Sequence, residues 1–377
     1  MKFRDDFSAS FVNQEAFMQF LDQVEVNAQW QIYPTNTLKV FSAEENPELC
    51  EMIPDQDDKL EILKDTYANA DLLLKVGEIY YPVGSTTIRT LENRARVSGN
   101  ALQDLERAKF ARVINDCLQV TKGQALIRIH EGKVRAVHGG DKSDYAVLSM
   151  PELFEVAALY MRETYDRVQF SKGYFSHLLT TASWEIRDRE LLDCYRELLL
   201  QYGQPVPSEI SAVIRVDSSD VAASGANIFC SLLEGPEKRP LAEKALISLK
   251  LEHSGAATIE AFAGNVAQIF ARHRETVEGL GKLFRVYINY PANVMAGLMN
   301  RVGIGKQLTA QTVEQFKAGH MGGGCSGYEV YCGICECIFL AQSRGMSVKG
   351  LLDLEEMVSR ILAYRMHDYD IPGVVSY

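Results

Sequence analysis

The stretch Ala125-Leu126-Ile127-Arg128-Ile129-His130-Glu131-Gly132-Lys133-Val134-Arg135-Ala136-Val137-His138 decides how this chain is read. Two arms of strand-forming residues flank Glu131-Gly132, a pair suited to a two-residue turn of the primed type, so a β-hairpin is predicted. Side chains alternate across a strand, which sets Arg128, His130, Lys133 and Arg135 at alternating positions of the two arms. One face of the hairpin is therefore cationic and the other apolar. Gly139-Gly140-Asp141 ends it, and Ser149-Met150-Pro151-Glu152 opens a helix with proline in its first turn.

Upstream, Ser85 or Thr86 caps a helix running to about Ala95, Ser98-Gly99-Asn100 breaks it, and Leu102–Leu118 forms a second helix. Before that lie a short amphipathic helix through Phe17 and Leu21 and a strand at Leu38-Val40-Phe41. A further helix passes through Ile62 and Leu63. Downstream, Ser183–Asp188 reads as a strand containing Trp184, and Glu190–Tyr202 as a helix closed by Gly203-Gln204-Pro205. Three strand-like runs follow, at Ile210–Val216, Asn227–Leu233 and Ala245–Leu251, with turns at Asp217–Asp220 and Gly235–Lys238. From Thr258 onward the pattern is helical. The predicted class is α+β with a mixed, mainly antiparallel sheet (hairpin plus three-strand meander) and a helical C-terminal region. The expected division is an acidic region at 1–80, an α+β core at 81–285 and helices at 286–377.

The chain has 377 residues, 47% apolar and 24% charged, which excludes a mostly disordered, collagenous or disulfide-scaffold protein. No apolar run reaches the roughly 18 residues of a membrane span. The first residues, Met1-Lys2-Phe3-Arg4-Asp5-Asp6, lack the apolar stretch of a signal peptide. A soluble, cytoplasmic protein without membrane contact is expected. Net charge is −11, unevenly spread. Met1–Lys75 carries six basic and fifteen acidic residues, a balance of −9, whereas Thr86–Lys142 carries eleven basic and six acidic, a balance of +5. A cationic island in an acidic chain has the local charge density that a polyanion-binding segment needs. The competing reading is a basic face that pairs with the acidic N-terminal region.

Tests for chemistry return little. Val302-Gly303-Ile304-Gly305-Lys306-Gln307 fails as a phosphate loop, with Asn300 where a glycine belongs and Gln307 where Ser or Thr would hold magnesium. Gly319–Gly327 is glycine-rich and opens onto a helix at Tyr328, in keeping with a hinge or tight-packing loop. Cys325, Cys332, Cys335 and Cys337 have C-x6-C-x2-C-x-C spacing, unlike paired zinc knuckles, and buried core thiols are expected. Asp217, Asp220 and Glu252, with His253 nearby, form a candidate divalent-cation cluster at strand ends, although Asp and Ser are also ordinary turn residues. No cofactor is implied.

The residues Ile127–Val137, then Asp144-Tyr145-Ala146-Val147-Leu148 and the Pro151-Glu152-Leu153-Phe154 helix start, resemble phage- and plasmid-type proteins of unknown function. In those proteins a similar hairpin and tyrosine precede a helix. Val216–Gly225 and Leu249-Lys250-Leu251-Glu252-His253-Ser254-Gly255 are similar to later elements of that family, so the resemblance spans about 120–270. His138-Gly139-Gly140 departs from the family pattern, which runs straight into Ser-Asp-Arg-Tyr. The resemblance implies a mobile-element setting. The order of basic hairpin, three strands and helix is similar to that of single-strand annealing proteins.

The leading expectation is a non-catalytic, homo-oligomeric protein that binds single-stranded nucleic acid, with Arg128, Lys133, Arg135 and Lys142 on phosphates and Tyr145 stacking on a base. Two alternatives stand beside it. One is a protein–protein antagonist of a host defence system that uses the acidic N-terminal surface; the other is a metal-dependent enzyme at Asp217, Asp220 and Glu252.

Overall fold

The hairpin forms where the sequence puts it. In the computed structural model, which describes residues 1–223, 225–242, 257–271, 273–320, 322–375 and 377, β6 (Gln124–His130) pairs antiparallel with β7 (Lys133–Gly139). Glu131 and Gly132 both have positive φ, 50° and 72°, the geometry of a type I′ turn. The register shifts between Arg128 and Ile129, so that Arg135 is the extra residue of a β-bulge.

Further strands, from the N-terminus, are β1 (Ser8–Phe11), β2 (Ala28–Pro34), β3 (Lys39–Ser42), β4 (Leu72–Val76) and β5 (Ile79–Pro82). After the hairpin come β8 (Arg167–Ser176), β9 (Thr180–Arg187), β10 (Ile210–Ser218), β11 (Asn227–Glu234) and β12 (Arg239–Ala242). They build an antiparallel six-stranded sheet in the order β1-β8-β9-β10-β11-β12 and two three-stranded sheets, β2-β6-β7 and β3-β4-β5. A parallel bridge between Val83 and Val134 joins the two small sheets.

The small sheets share a core made of Val40, Leu72, Leu74, Ile127, Ile129, Val134 and Val137, covered by the helices Thr86–Ala95 and Arg107–Val120. Asn115 on the second helix accepts from Val40 N and donates to Val40 O, both at 2.7 Å, which closes the free edge of β3. The large sheet packs against the helices Gln14–Val26, Met150–Thr164 and Arg189–Gln201 through Phe17, Phe154, Trp184 and Tyr195. Trp184 is fully buried and donates its indole N–H to Gln14 Oε1 at 3.2 Å. The same core continues into the helices Pro291–Val302, Lys306–Gly319, Gly327–Ser343 and Val348–Ile361. The α+β class with antiparallel sheets and C-terminal helices is therefore present.

The expected boundaries are crossed. β1 pairs with β8, β2 with β6 and β3 with β4, so the first eighty residues supply strands to three different sheets. One apolar cluster runs from Phe17 to Met366, tying the C-terminal helices to the large sheet. The third strand of the meander is β12 at Arg239–Ala242, directly after the turn at Gly235–Lys238. The run 245–251 expected for it lies outside the described residues. Among the described residues no helix is long and apolar enough to cross a membrane.

Candidate functional site

The hairpin divides its side chains as alternation requires, but its cationic face does not meet solvent. Arg128, Lys133 and Arg135 are 3%, 0% and 0% exposed. Lys133 Nζ sits 3.1 Å from Asp5 Oδ1 and 2.5 Å from Asp65 Oδ2, and Arg135 Nη1 is 2.7 Å from Asp5 Oδ1. Arg135 Nη2 also donates to Phe3 O, and Arg128 Nη2 is 2.9 Å from Asp220 Oδ2. The expectation that these three cations project toward a polyanion is thus overturned. Two of their carboxylates, Asp5 and Asp65, come from the acidic N-terminal region, and the third from the turn after β10. Three charges buried without partners would each cost several kcal/mol, and pairing them is what permits this face to close.

The seam holds two histidines as well. Their rings lie 5.7 Å apart, edge to face. Burial, followed by the charges of Arg128, His177 and Arg135, pulls His130 down to about 2. Burial and Arg135 pull His177 down to about 3. Both rings are neutral in the closed seam.

Lys142 is exposed, as expected. Tyr145 is half-buried, and one face of its ring lies against His138, with centroids 3.8 Å apart and planes 1° from parallel. Trp30, half-exposed on β2, flanks the pair at 6.0 Å from Tyr145, and the Arg128 guanidinium lies 5.8 Å from the Trp30 ring. Burial raises the Tyr145 phenol well above its ordinary value. Of the five residues expected to form one surface, two remain at the surface and three are closed beneath it.

Of the proposed metal cluster, only Asp217 and Asp220 fall among the described residues. Asp217 is held by Arg215 at 3.2 Å and Asp220 by Arg128, each carboxylate already having a cation of its own. Glu252 and His253 lie outside the described residues. Among the described residues no group of three or more His, Cys, Asp or Glu side chains is placed to hold a metal ion. Cys325, Cys335 and Cys337 are buried and Cys332 half-buried, within the apolar packing of the helix Gly327–Ser343. At 300–307 a helix ends at Val302, Gly303 turns with φ 92°, and a new helix starts at Lys306. A phosphate loop would need a strand there.

The site that sequence reasoning missed lies at the other end of the large sheet. A cleft of about 550 Å³ opens between residues 199–207, the β11–β12 turn and the helices Lys306–Gly319 and Gly327–Ser343. Its volume falls in the range of small-molecule sites. Gly333 keeps the helices close, since a Cβ there would sit 3.2 Å from Met295 and closer still to the Phe316 ring. Ser326 starts the helix Gly327–Ser343 with a capping box to Glu329, which sets Tyr328 and Cys332 on the cleft wall.

Glu234 stands at the end of β11 on this wall. Tyr195 Oη donates to its carboxylate, Tyr328 Oη lies 3.5 Å away, and the two phenols are 2.6 Å apart. Burial and the repulsion of Glu336 raise the Glu234 carboxyl above its ordinary value, against the opposing pull of the two tyrosines. Burial also pushes both phenols up. Arg239, across the turn, is occupied by Glu237 at 2.8 Å and Glu336 at 2.9 Å. The lining thus carries Glu234, Glu329 and Glu336 against one guanidinium that is already paired, along with the rings of Phe316, His320 and Tyr328. A smaller cleft of about 230 Å³ shares Phe316 and His320 with it. No family model, curated protein or solved structure matches the chain.

Proposed function

We propose that this chain is a binding protein for a small organic cation, an ammonium or guanidinium group on an apolar body, held in the cleft beside Glu234. One observation carries this reading: Glu234 is a carboxyl withdrawn from water, anchored by two phenols, at the wall of a cleft whose lining has a surplus of negative charge. A cation there stabilises the ionised form that burial disfavours. Tyr328 and Phe316 on the lining add apolar contact for the body of the ligand. Because the cation favours ionised Glu234 and the pKa of that carboxyl is raised, affinity increases as pH rises through it, and binding releases a proton.

Calorimetric titration with phenethylammonium and spermidine, in two buffers of different ionisation enthalpy, tests this. Expected are saturable binding, proton release, and a loss of about tenfold or more in Glu234→Gln, the effect of removing one charge-assisted contact. Absence of binding by every amine tried, or equal binding by the variant, refutes it.

A second reading keeps single-stranded nucleic acid as the partner of an oligomer, now through Lys142 and the Trp30–Tyr145 pair alone. The half-exposed aromatic stack supports it. With Lys142 the one cation of the expected set left at the surface, this reading implies shallow salt dependence, with a slope of about one counterion rather than several.

A further inference from the structure

The closed seam contains polar atoms that its ion pairs leave unused. Arg128 Nε, Arg135 Nε, both ring nitrogens of His130 and His177 Nδ1 are buried and have no hydrogen-bond partner. Glu131 Oε1 approaches His130 Nε2 only to 3.9 Å, and His177 Nε2 is engaged with Lys2 O at 2.7 Å. A carbonyl only accepts, so His177 Nε2 carries the proton, and its Nδ1 donates only when the ring is cationic. The two arginine Nε–H groups and one His130 N–H are obligatory donors. Buried donors of this kind are rarely left unmade, each costing about 1–3 kcal/mol. The five orphaned nitrogens sit on four side chains, 0–6% exposed, that neighbour one another: the two imidazoles are 5.7 Å apart, and the charges of Arg128 and Arg135 act on both rings and on each other.

We infer that this corner of the seam is an internal site for a small univalent inorganic anion of the chloride class, bound by Arg128 Nε–H, Arg135 Nε–H and His130. The groups facing it are Lys2 and Asp5 of the N-terminal segment, Asp65 of the helix Lys59–Asn69, Glu131 and Lys133 of the hairpin, and Asp220 after β10. Arg128, Lys133 and Arg135 balance Asp5, Asp65 and Asp220, so the anion adds one uncompensated negative charge. A proton taken up by the His130–His177 pair restores neutrality and turns an acceptor nitrogen into a donor. Anion affinity therefore rises as pH falls. The site is independent of the cleft.

Thermal melting of the full chain in sodium chloride against sodium gluconate at equal ionic strength, at pH 6 and pH 8, tests this together with diffraction from bromide-soaked crystals. Expected are a saturable rise in Tm with chloride that is larger at pH 6, and one bromide peak in hydrogen-bond reach of both Nε atoms. His130→Gln and, as a second variant should that one fold poorly, His177→Gln should weaken the chloride effect about tenfold, the scale of one lost charge-assisted bond. Equal melting in both salts at both pH values, or a bromide map without a peak between the guanidinium groups, overturns the proposal.

Discussion

Replacing Asp5 by Asn removes the charge on which two buried cations depend. Its carboxylate lies 3.1 Å from Lys133 Nζ and 2.7 Å from Arg135 Nη1, and it accepts from Ser85 N at 2.6 Å. The side chains of Lys133 and Arg135 are 0% exposed and that of Asp5 only 4%, so water cannot replace what is lost. Removing one partner of a buried pair typically costs about 3–5 kcal/mol. Asp65 still faces Lys133, which places the expected loss near the lower end, about 3 kcal/mol. Burial alone would raise the Asp5 pKa, but Arg135 and Lys133 outweigh it and hold the carboxyl below its ordinary 3.8. A depressed carboxylate contributes stability above its unfolded pKa and loses it as pH falls through the folded value. Urea unfolding followed by tryptophan fluorescence at pH 7 and at pH 3 should therefore show a large deficit for Asp5→Asn at neutral pH that narrows in acid. A deficit under about 1 kcal/mol at pH 7, the worth of a surface pair, would refute the reasoning. The exposed pair Arg4–Asp6 supplies the control, and Asp6→Asn should leave the unfolding curve where it was.

Other outcomes follow from the same packing. Trp184→Ala, at a 1% exposed site in the main core, should cost about 3–5 kcal/mol in the same unfolding assay. Gly173→Ala brings a Cβ to 2.6 Å from the Phe17 ring and should destabilise by about 1–3 kcal/mol through overpacking. Burial pushes the Cys325 and Cys337 thiols up to about 12, so iodoacetamide should label them in urea and leave them unlabelled in the native protein. In gluconate buffer, stability should decline as pH falls from 6.5, because His130 and His177 take up protons in the unfolded chain well before the folded one. A His130→Gln, His177→Gln double variant should flatten that decline.

Local rules read much of this fold correctly and distant ones hid the rest. Glu131-Gly132 fixed the hairpin turn, Pro151 and Ser149 the helix start, and Gly235–Lys238 the β11–β12 turn, because each is decided within a few residues. β8 escaped notice although half-buried Val168 and Phe170 alternate with exposed Gln169 and Ser171, because Lys172 and Gly173 interrupt the pattern at a bulge and its partner β1 lies some 160 residues away. The cationic face of the hairpin was legible, but its exposure was not. Whether Lys133 and Arg135 meet water or Asp5 depends on where a segment 128 residues distant in sequence comes to rest. The acidic count in 1–75 was the available clue, and it favoured pairing over projection. The cleft was harder still. Tyr195, Glu234 and Tyr328 come from three elements that no sequence motif links, and only the packing of the C-terminal helices on the large sheet brings them together.

The sharpest check is on the closed seam. Acetylation of native protein by a water-soluble ester, read lysine by lysine in a mass spectrometer, should modify exposed Lys122 and Lys142 quickly and spare Lys133 until the chain is unfolded. Modification of Lys133 at the rate of Lys142 would mean that the cationic face is open to solvent, contrary to the arrangement described above.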